Sequence, residues 1–170
     1  MIISYLTGNK IYSLSEDAFN LYEKSRFGEK KKNKIEYFNA EALFLVSEGK
    51  MEVFSGKKKV SEEKLLKKLR RSDKKIETKL EVFSDLRKKG YIVKTGLKFG
   101  AEFRVYEKGI KPGEDHARWI LFCVSENEMI SWHDFSAKNR IAHSTNKNLL
   151  IGIVDEEGDV TYYEVRWERP

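Results

Sequence analysis

In the second half of the chain, Leu97, Phe99, Ala101, Phe103 and Val105 alternate with Lys98, Gly100, Glu102, Arg104 and Tyr106. A period of two predicts a half-buried strand, with Tyr106 on its polar side, exposed or in a groove. Trp119 to Val124 is a continuous apolar run, suited to a central strand covered on both faces. Ser131 is placed to cap a helix that runs to about Ile141. Leu149 to Val154 and Val160 to Trp167 are two further apolar, β-rich runs. Glu156, Glu157, Gly158 and Asp159 lie between them as a polar turn, so the pair reads as a hairpin.

Upstream the period lengthens. Ile76, Leu80, Phe83 and Leu86 stand at helical spacing, and Gly90 is positioned to end that helix. The first 75 or so residues read as short strands and helices. Asn39 caps a helix carrying Leu43, Leu45 and Val46 with Gly49 as its stop, and Ser61 caps another carrying Leu65, Leu66 and Leu69. Both are expected to be amphipathic and basic on the outside. The fold class that follows is α/β in the α+β sense, in two small domains. Residues 1–75 form an N-terminal mixed domain and 76–90 a connecting helix. Residues 91–170 form a C-terminal domain with a mixed sheet flanked by helices.

Composition narrows the partners. The formal net charge is +6 over 170 residues, which suits a polyanion, since Lys and Arg beside phosphates release condensed counterions. Cys123 is the only cysteine, so neither an intrachain disulfide nor a cysteine-rich zinc site is available, and a reducing cytoplasm fits. The apolar run Met1–Leu6 is too short for a signal peptide or membrane span. The expectation is a soluble cytoplasmic protein.

Candidate chemistry lies at element ends. Tyr106 closes its strand; cross-strand packing is the ordinary account of an aromatic there. His116 follows the Gly109–Gly113 turn and precedes the apolar run from Trp119, a position where sites are assembled. His133 and His143 compete for any histidine role, and no two of the three have the spacing of a helical two-His metal motif. Lys147 stands between Asn146 and Asn148, outside any lysine cluster, at the start of the run from Leu149.

Several segments, in order, resemble archaeal tRNA-splicing endonucleases. They are Gly90-Tyr91-Ile92-Val93-Lys94-Thr95-Gly96-Leu97-Lys98-Phe99-Gly100 and Phe103-Arg104-Val105-Tyr106. They continue with Arg140-Ile141-Ala142-His143-Ser144, then Lys147, Leu149 and Leu150, then Ile153-Val154-Asp155-Glu156-Glu157-Gly158-Asp159-Val160. The resemblance covers the C-terminal half closely. In the N-terminal domain it is looser, around Glu41, Ala42, Leu43 and Leu45 and the basic helix after Ser61.

The resemblance implies a nuclease-like C-terminal domain that excises introns from precursor tRNA at bulge-helix-bulge structures. It implies Tyr106, His116 and Lys147 as the functional triad. Products would carry a 2′,3′-cyclic phosphate and a 5′-hydroxyl, so the RNA's own 2′-OH attacks and neither metal nor cofactor is required. A base must take the 2′-OH proton, an acid must protonate the leaving 5′-oxygen, and a cation must stabilise the transition state. His116 suits the acid and Lys147 the cation; Tyr106 is either the base or the group that orients the 2′-OH. Arg140 and Arg166 are the implied pair that sandwiches an unstacked bulge base. The acidic turn Asp155, Glu156, Glu157 and Asp159 would enter a basic pocket of an opposing subunit, giving a homotetramer built from dimers. A heterotetramer with a structural subunit, in which this chain binds RNA without cutting alone, is the alternative. A metal-dependent DNA nuclease would need an acidic strand cluster before a Glu-x-Lys pattern, and Glu77-Thr78-Lys79 falls instead in a helical stretch.

Overall fold

Hydrophobic positions along residues 1–170, all of which the computed structural model describes, resolve into two sheets and five helices. The chain forms two compact units, Met1–Phe83 and Ser84–Pro170. No helix is long and apolar enough to cross a membrane. The mixed α/β class expected from the sequence is observed.

The first unit is built on a six-stranded sheet. In chain order it comprises β1 (Ile2–Thr7), β2 (Lys10–Ser13), α1 (Glu16–Ser25), β3 (Glu29–Lys31), β4 (Lys34–Tyr37), α2 (Asn39–Ser47), β5 (Met51–Ser55), β6 (Lys58–Val60) and α3 (Glu62–Ser72). α4 (Ile76–Lys88) follows, and the unit boundary falls within it. The strand order is β3-β4-β2-β1-β5-β6, with β1 and β5 parallel and the remaining pairs antiparallel. Phe83 anchors the core, its ring edge-on to Phe38 at 5.3 Å and to Phe44 at 5.6 Å. Edge-to-face aromatic pairs of this kind add to the burial of the rings themselves.

The two early helices differ. Ser61 caps α3, its hydroxyl accepting from the Lys64 amide at 3.4 Å, and Leu65 and Leu69 are buried beneath a basic outer face. α2 departs from the expectation of a basic amphipathic helix. Residues Ala40 to Leu45 are all buried, and its only first-turn charge is the acidic Glu41. One oxygen of the buried Glu41 carboxylate accepts from the Gly28 amide at 2.8 Å. A helix buried on every side carries no polar stripe.

The second unit holds a five-stranded sheet of order β11-β10-β9-β8-β7. Its strands are β7 (Ile92–Thr95), β8 (Phe103–Tyr106), β9 (Trp119–Ser125), β10 (Asn148–Val154) and β11 (Val160–Val165), with α5 (Trp132–Ser144) between β9 and β10. β9 and β10 run parallel, as a strand-helix-strand crossover requires. Ser131 caps α5, accepting from the Asp134 amide at 3.1 Å, and the helix runs to Ser144, one turn past its expected end. Ala142 of α5 packs on Ile120, Phe122 and Leu149, with Phe99, Ile141 and Ile151 around them.

The long strand expected up to Tyr106 is broken. Leu97–Phe99 is a short 3-10 turn, and β8 begins only at Phe103. The cause is a close return of the chain. The Gly96 amide bonds the Glu102 carbonyl at 3.1 Å and the Ala101 amide bonds the Gly96 carbonyl at 3.2 Å. A Cβ on Gly96 would lie 2.8 Å from the Phe103 carbonyl group, so only glycine fits without displacing backbone. Glycines on either side of Leu97–Phe99 are the signal in the sequence for this turn.

Candidate active site

Strand register determines which residues share one end of the second sheet. Val105 of β8 faces Trp119 of β9, and Trp119 faces Asn148 of β10. Two bonds extend the ladder one residue outward: the Arg118 amide to the Val105 carbonyl at 3.0 Å, and the Asn148 amide to the Arg118 carbonyl at 2.9 Å. Tyr106 and Lys147 therefore lie level with each other on either side of Arg118. With adjacent strands about 4.8 Å apart, their backbones are roughly 10 Å apart. His116 lies on the loop two residues before Arg118, at this same end.

Tyr106 is buried, at 5% exposure, where the sequence predicted an exposed or groove position. Both faces of β8 are covered. Phe103 and Val105 are buried on one face; Arg104 and Tyr106 share the other, which Ile120 and α5 occupy further along the sheet. The Arg104 guanidinium carbon stands 6.0 Å from the Tyr106 ring centroid.

His116 is exposed, and its imidazole is free of side-chain partners. Its backbone amide donates to its neighbour, the Asp115 carboxylate, at 2.6 Å. The loop is shaped by Gly109 and Gly113, both at positive φ, and by a bond from the Lys111 amide to Glu114 at 3.2 Å.

Lys147 leaves α5 through Asn146, which adopts positive φ, a conformation that asparagine tolerates better than most residues. Its ammonium donates to the Thr145 carbonyl at 3.0 Å and lies 4.9 Å from the centre of the Phe99 ring. Desolvation pushes its pKa below the usual lysine value, and the positive charges of Lys98 and Arg104 push it in the same direction. No carboxylate pairs with it.

Lys147 also lines a pocket of about 150 Å³ with Asn139, His143, Asn148, Arg166 and Trp167. The His143 and Trp167 rings meet at 4.3 Å between centroids. Trp167 is half-exposed and offers a flat apolar face beside Lys147; nothing in the sequence marks it, since it reads there as the end of a strand. β11 ends at Val165, so Trp167 lies outside it.

The two arginines differ. Arg140 is exposed on α5 and forms no ion pair. Arg166 is held by Glu164, through its Nε at 2.8 Å and a second nitrogen at 2.7 Å. Glu164 also accepts from the Trp119 indole at 2.6 Å, and these donors hold its carboxyl below the usual range, the indole bond foremost.

Asp155 organises the acidic turn, its carboxylate accepting from the Glu157 and Asp159 amides, each at 2.9 Å. Glu156 and Glu157 project into solvent, as does Asp159. On α4, Glu77 pairs with Arg70 at 2.6 Å and Lys79 with Asp73 at 2.7 Å. That Glu-x-Lys spelling is a set of helix-surface ion pairs.

Comparison with known proteins bears on the whole chain. Residues 76–162 match the family model described as tRNA intron endonuclease, catalytic C-terminal domain, and residues 2–66 match its N-terminal domain. The chain is 42% identical over 170 residues to the tRNA-splicing endonuclease of Thermococcus gammatolerans, covering 99% of both. It is 44% identical over 168 residues to that of Thermococcus kodakarensis, covering 98% of both. Against the tRNA-splicing endonuclease of Nanoarchaeum equitans it is 40% identical over 136 residues, 76% of this chain and 87% of that one. With both halves matched and near-complete coverage of these relatives, the chain belongs to the tRNA intron endonuclease family.

Proposed function

We propose that this protein excises introns from precursor tRNA at bulge-helix-bulge structures, by attack of the ribose 2′-OH on the adjacent phosphate. The products are a 2′,3′-cyclic phosphate and a 5′-hydroxyl. The observation that carries the reading is the presence of Tyr106, His116 and Lys147 at one end of the second sheet, on the end of β8, the β8–β9 loop and the α5–β10 connection. The chemistry then belongs to residues 91–170, with 76–90 as the connecting helix and 1–75 as the N-terminal domain.

Each residue type fits one role. Tyr106 takes the 2′-OH proton as the oxygen bonds to phosphorus. His116, exposed and unencumbered, delivers a proton to the departing 5′-oxygen, so that one proton enters the protein and one leaves it. Lys147 stabilises the charge that accumulates on the non-bridging oxygens. A phenol with a pKa near 10 is only about 0.1% ionised at pH 7, so a tyrosine base needs neighbouring cations to favour phenolate. Arg104, 6.0 Å from the ring centre, and Lys147, level with Tyr106 across the sheet end, are the cations placed for that role.

Arg140 is available to stack on an unstacked bulge base, whereas Arg166 must first give up part of its engagement with Glu164. Trp167, at the mouth of the Lys147 pocket, offers a second stacking surface. The acidic turn mediates assembly of a homotetramer from dimers. The test is incubation of the purified chain alone with a minimal bulge-helix-bulge RNA in EDTA, followed by analysis of product ends. Cyclic phosphate and 5′-hydroxyl termini are expected. Cleavage only after magnesium is added would contradict the mechanism, and binding without cleavage would make the chain an RNA-binding subunit.

A further inference from the structure

Arg104 lies beside Tyr106 at the sheet end that also carries Lys147, and the mechanism above gives it no contact with the RNA. It sits on β8 two residues before Tyr106, on the same face of the strand, with its guanidinium carbon 6.0 Å from the Tyr106 ring centroid. Its charge also acts on Lys147, as does that of Lys98. Lys98 and Lys147 place their ammonium groups 5.0 Å and 4.9 Å from the centre of the same Phe99 ring.

Arg104, Lys98 and Lys147 therefore gather in one place, and none of them has a carboxylate partner. Elsewhere the chain pairs its cations readily, as with Arg70 and Glu77, Lys79 and Asp73, or Arg166 and Glu164. Arg104 is also opposite a lysine: its register partner on β7 is Lys94, buried at 4% exposure. Like charges directly across a strand pair oppose folding. The Arg104 Nε is moreover buried without a hydrogen-bond partner, a penalty that a bound anion would relieve. The planar guanidinium presents a fork of donors suited to phosphate oxygens, at a position where Lys147 supplies only a point charge.

We propose that Arg104, assisted by Lys98, is a phosphate-binding residue of this site, gripping an RNA phosphodiester between Tyr106 and Lys147. The inference rests on the cleavage reading for its placement beside the reacting phosphate, but its anion-binding claim is measured separately. RNA affinity is determined as a function of salt, using bulge-helix-bulge RNA made uncleavable by 2′-deoxy substitution at both scissile positions. The full-length wild type is compared with Arg104→Met, which keeps an apolar stem for packing, and with Arg104→Lys. Single-turnover cleavage of the all-ribose RNA is measured alongside.

For Arg104→Met, the slope of log affinity against log salt should become shallower by roughly 0.7–0.9, the loss of one phosphate contact. Its cleavage at saturating protein should fall about tenfold or more. Arg104→Lys should recover the slope and only part of the rate, since it restores charge without the fork. A wild-type slope in Arg104→Met overturns the proposal, and so does a shallower slope with an unchanged rate, which would move the contact away from the reacting phosphate. If Arg104→Met fails to fold, Arg104→Lys and Lys98→Gln decide: wild-type rate in the first with wild-type slope in the second overturns it. Failure of the wild type to cut at all would sink the cleavage reading, and the salt slopes would still judge Arg104 as an anion site.

Discussion

Lys147 is held at a cost to folding, because its ammonium is partly desolvated and shares its surroundings with Lys98 and Arg104. Below its lowered pKa the group is charged in both the folded and unfolded chain, and folding bears the whole of that penalty. As pH rises through the lowered value towards 10.5, the folded chain sheds the proton first and stability rises. Lys147→Met is therefore expected to match or exceed the wild type in thermal stability near neutral pH while losing cleavage, with the stability gap closing at alkaline pH. A destabilised variant in calorimetry would show that Lys147 contributes to the fold. His116→Ala should lower single-turnover cleavage roughly 100-fold or more with little change in RNA affinity, since a general acid acts in the transition state. Tyr106→Phe should do the same. Near-normal cutting by Tyr106→Phe would refute its role as base, and equal losses on replacing His133 or His143 would refute His116 as the acid. The triad was drawn from the family resemblance, residue type and element ends being insufficient alone, and the sequence misjudged the burial of Tyr106. Alternation distinguishes the two faces of a strand without saying whether the polar-looking face meets water, and in this sheet both faces of β8 are covered.

Among the elements, the turn from Gly96 to Ala101 governs the site. It sets Phe99 as a common floor under Lys98 and Lys147, and Gly96 fits only because it lacks a Cβ. Gly96→Ala would bring a methyl group 2.8 Å from the Phe103 carbonyl, against backbone that cannot rotate away. A loss of about 1–3 kcal/mol in urea unfolding is expected, together with slower cleavage as the turn shifts. Unchanged values for both would show that the turn yields freely. The helices α3 and α5 were legible in the sequence from their serine caps, α4 from its helical spacing, and β9 and the β10–β11 hairpin from their apolar runs and polar turn. The strand predicted before Tyr106 failed where a 3-10 turn happens to place apolar residues at every second position. The outward basic face predicted for α2 failed because Ala40 to Leu45 are enclosed and the nearby lysines lie outside the helix.

At the scale of the whole molecule, a chain with net charge +6 ends its β10–β11 hairpin in an acidic tip. Asp155 builds the tip from within, so its replacement would change shape as well as charge. The test of assembly is therefore Glu156→Gln, Glu157→Gln and Asp159→Asn with Asp155 kept. This variant should sediment as a smaller species than the wild type while remaining folded. An unchanged oligomer with full activity would reduce the tip to an ordinary solvated turn. The expectations for oligomeric state and RNA geometry rest on family resemblance alone, because both depend on surfaces that meet other molecules. The chemistry has a more direct test in a single 2′-deoxy substitution immediately 5′ of one scissile phosphate. Removing that hydroxyl deletes the nucleophile but leaves the phosphates, helix and bulged bases that supply most of the binding. The modified RNA should bind with unchanged affinity, resist cleavage at the deoxy position and still be cut at the other bulge. Cleavage at the deoxy position with a 5′-phosphate product would mean that activated water is the nucleophile, and would contradict the mechanism built on Tyr106, His116 and Lys147.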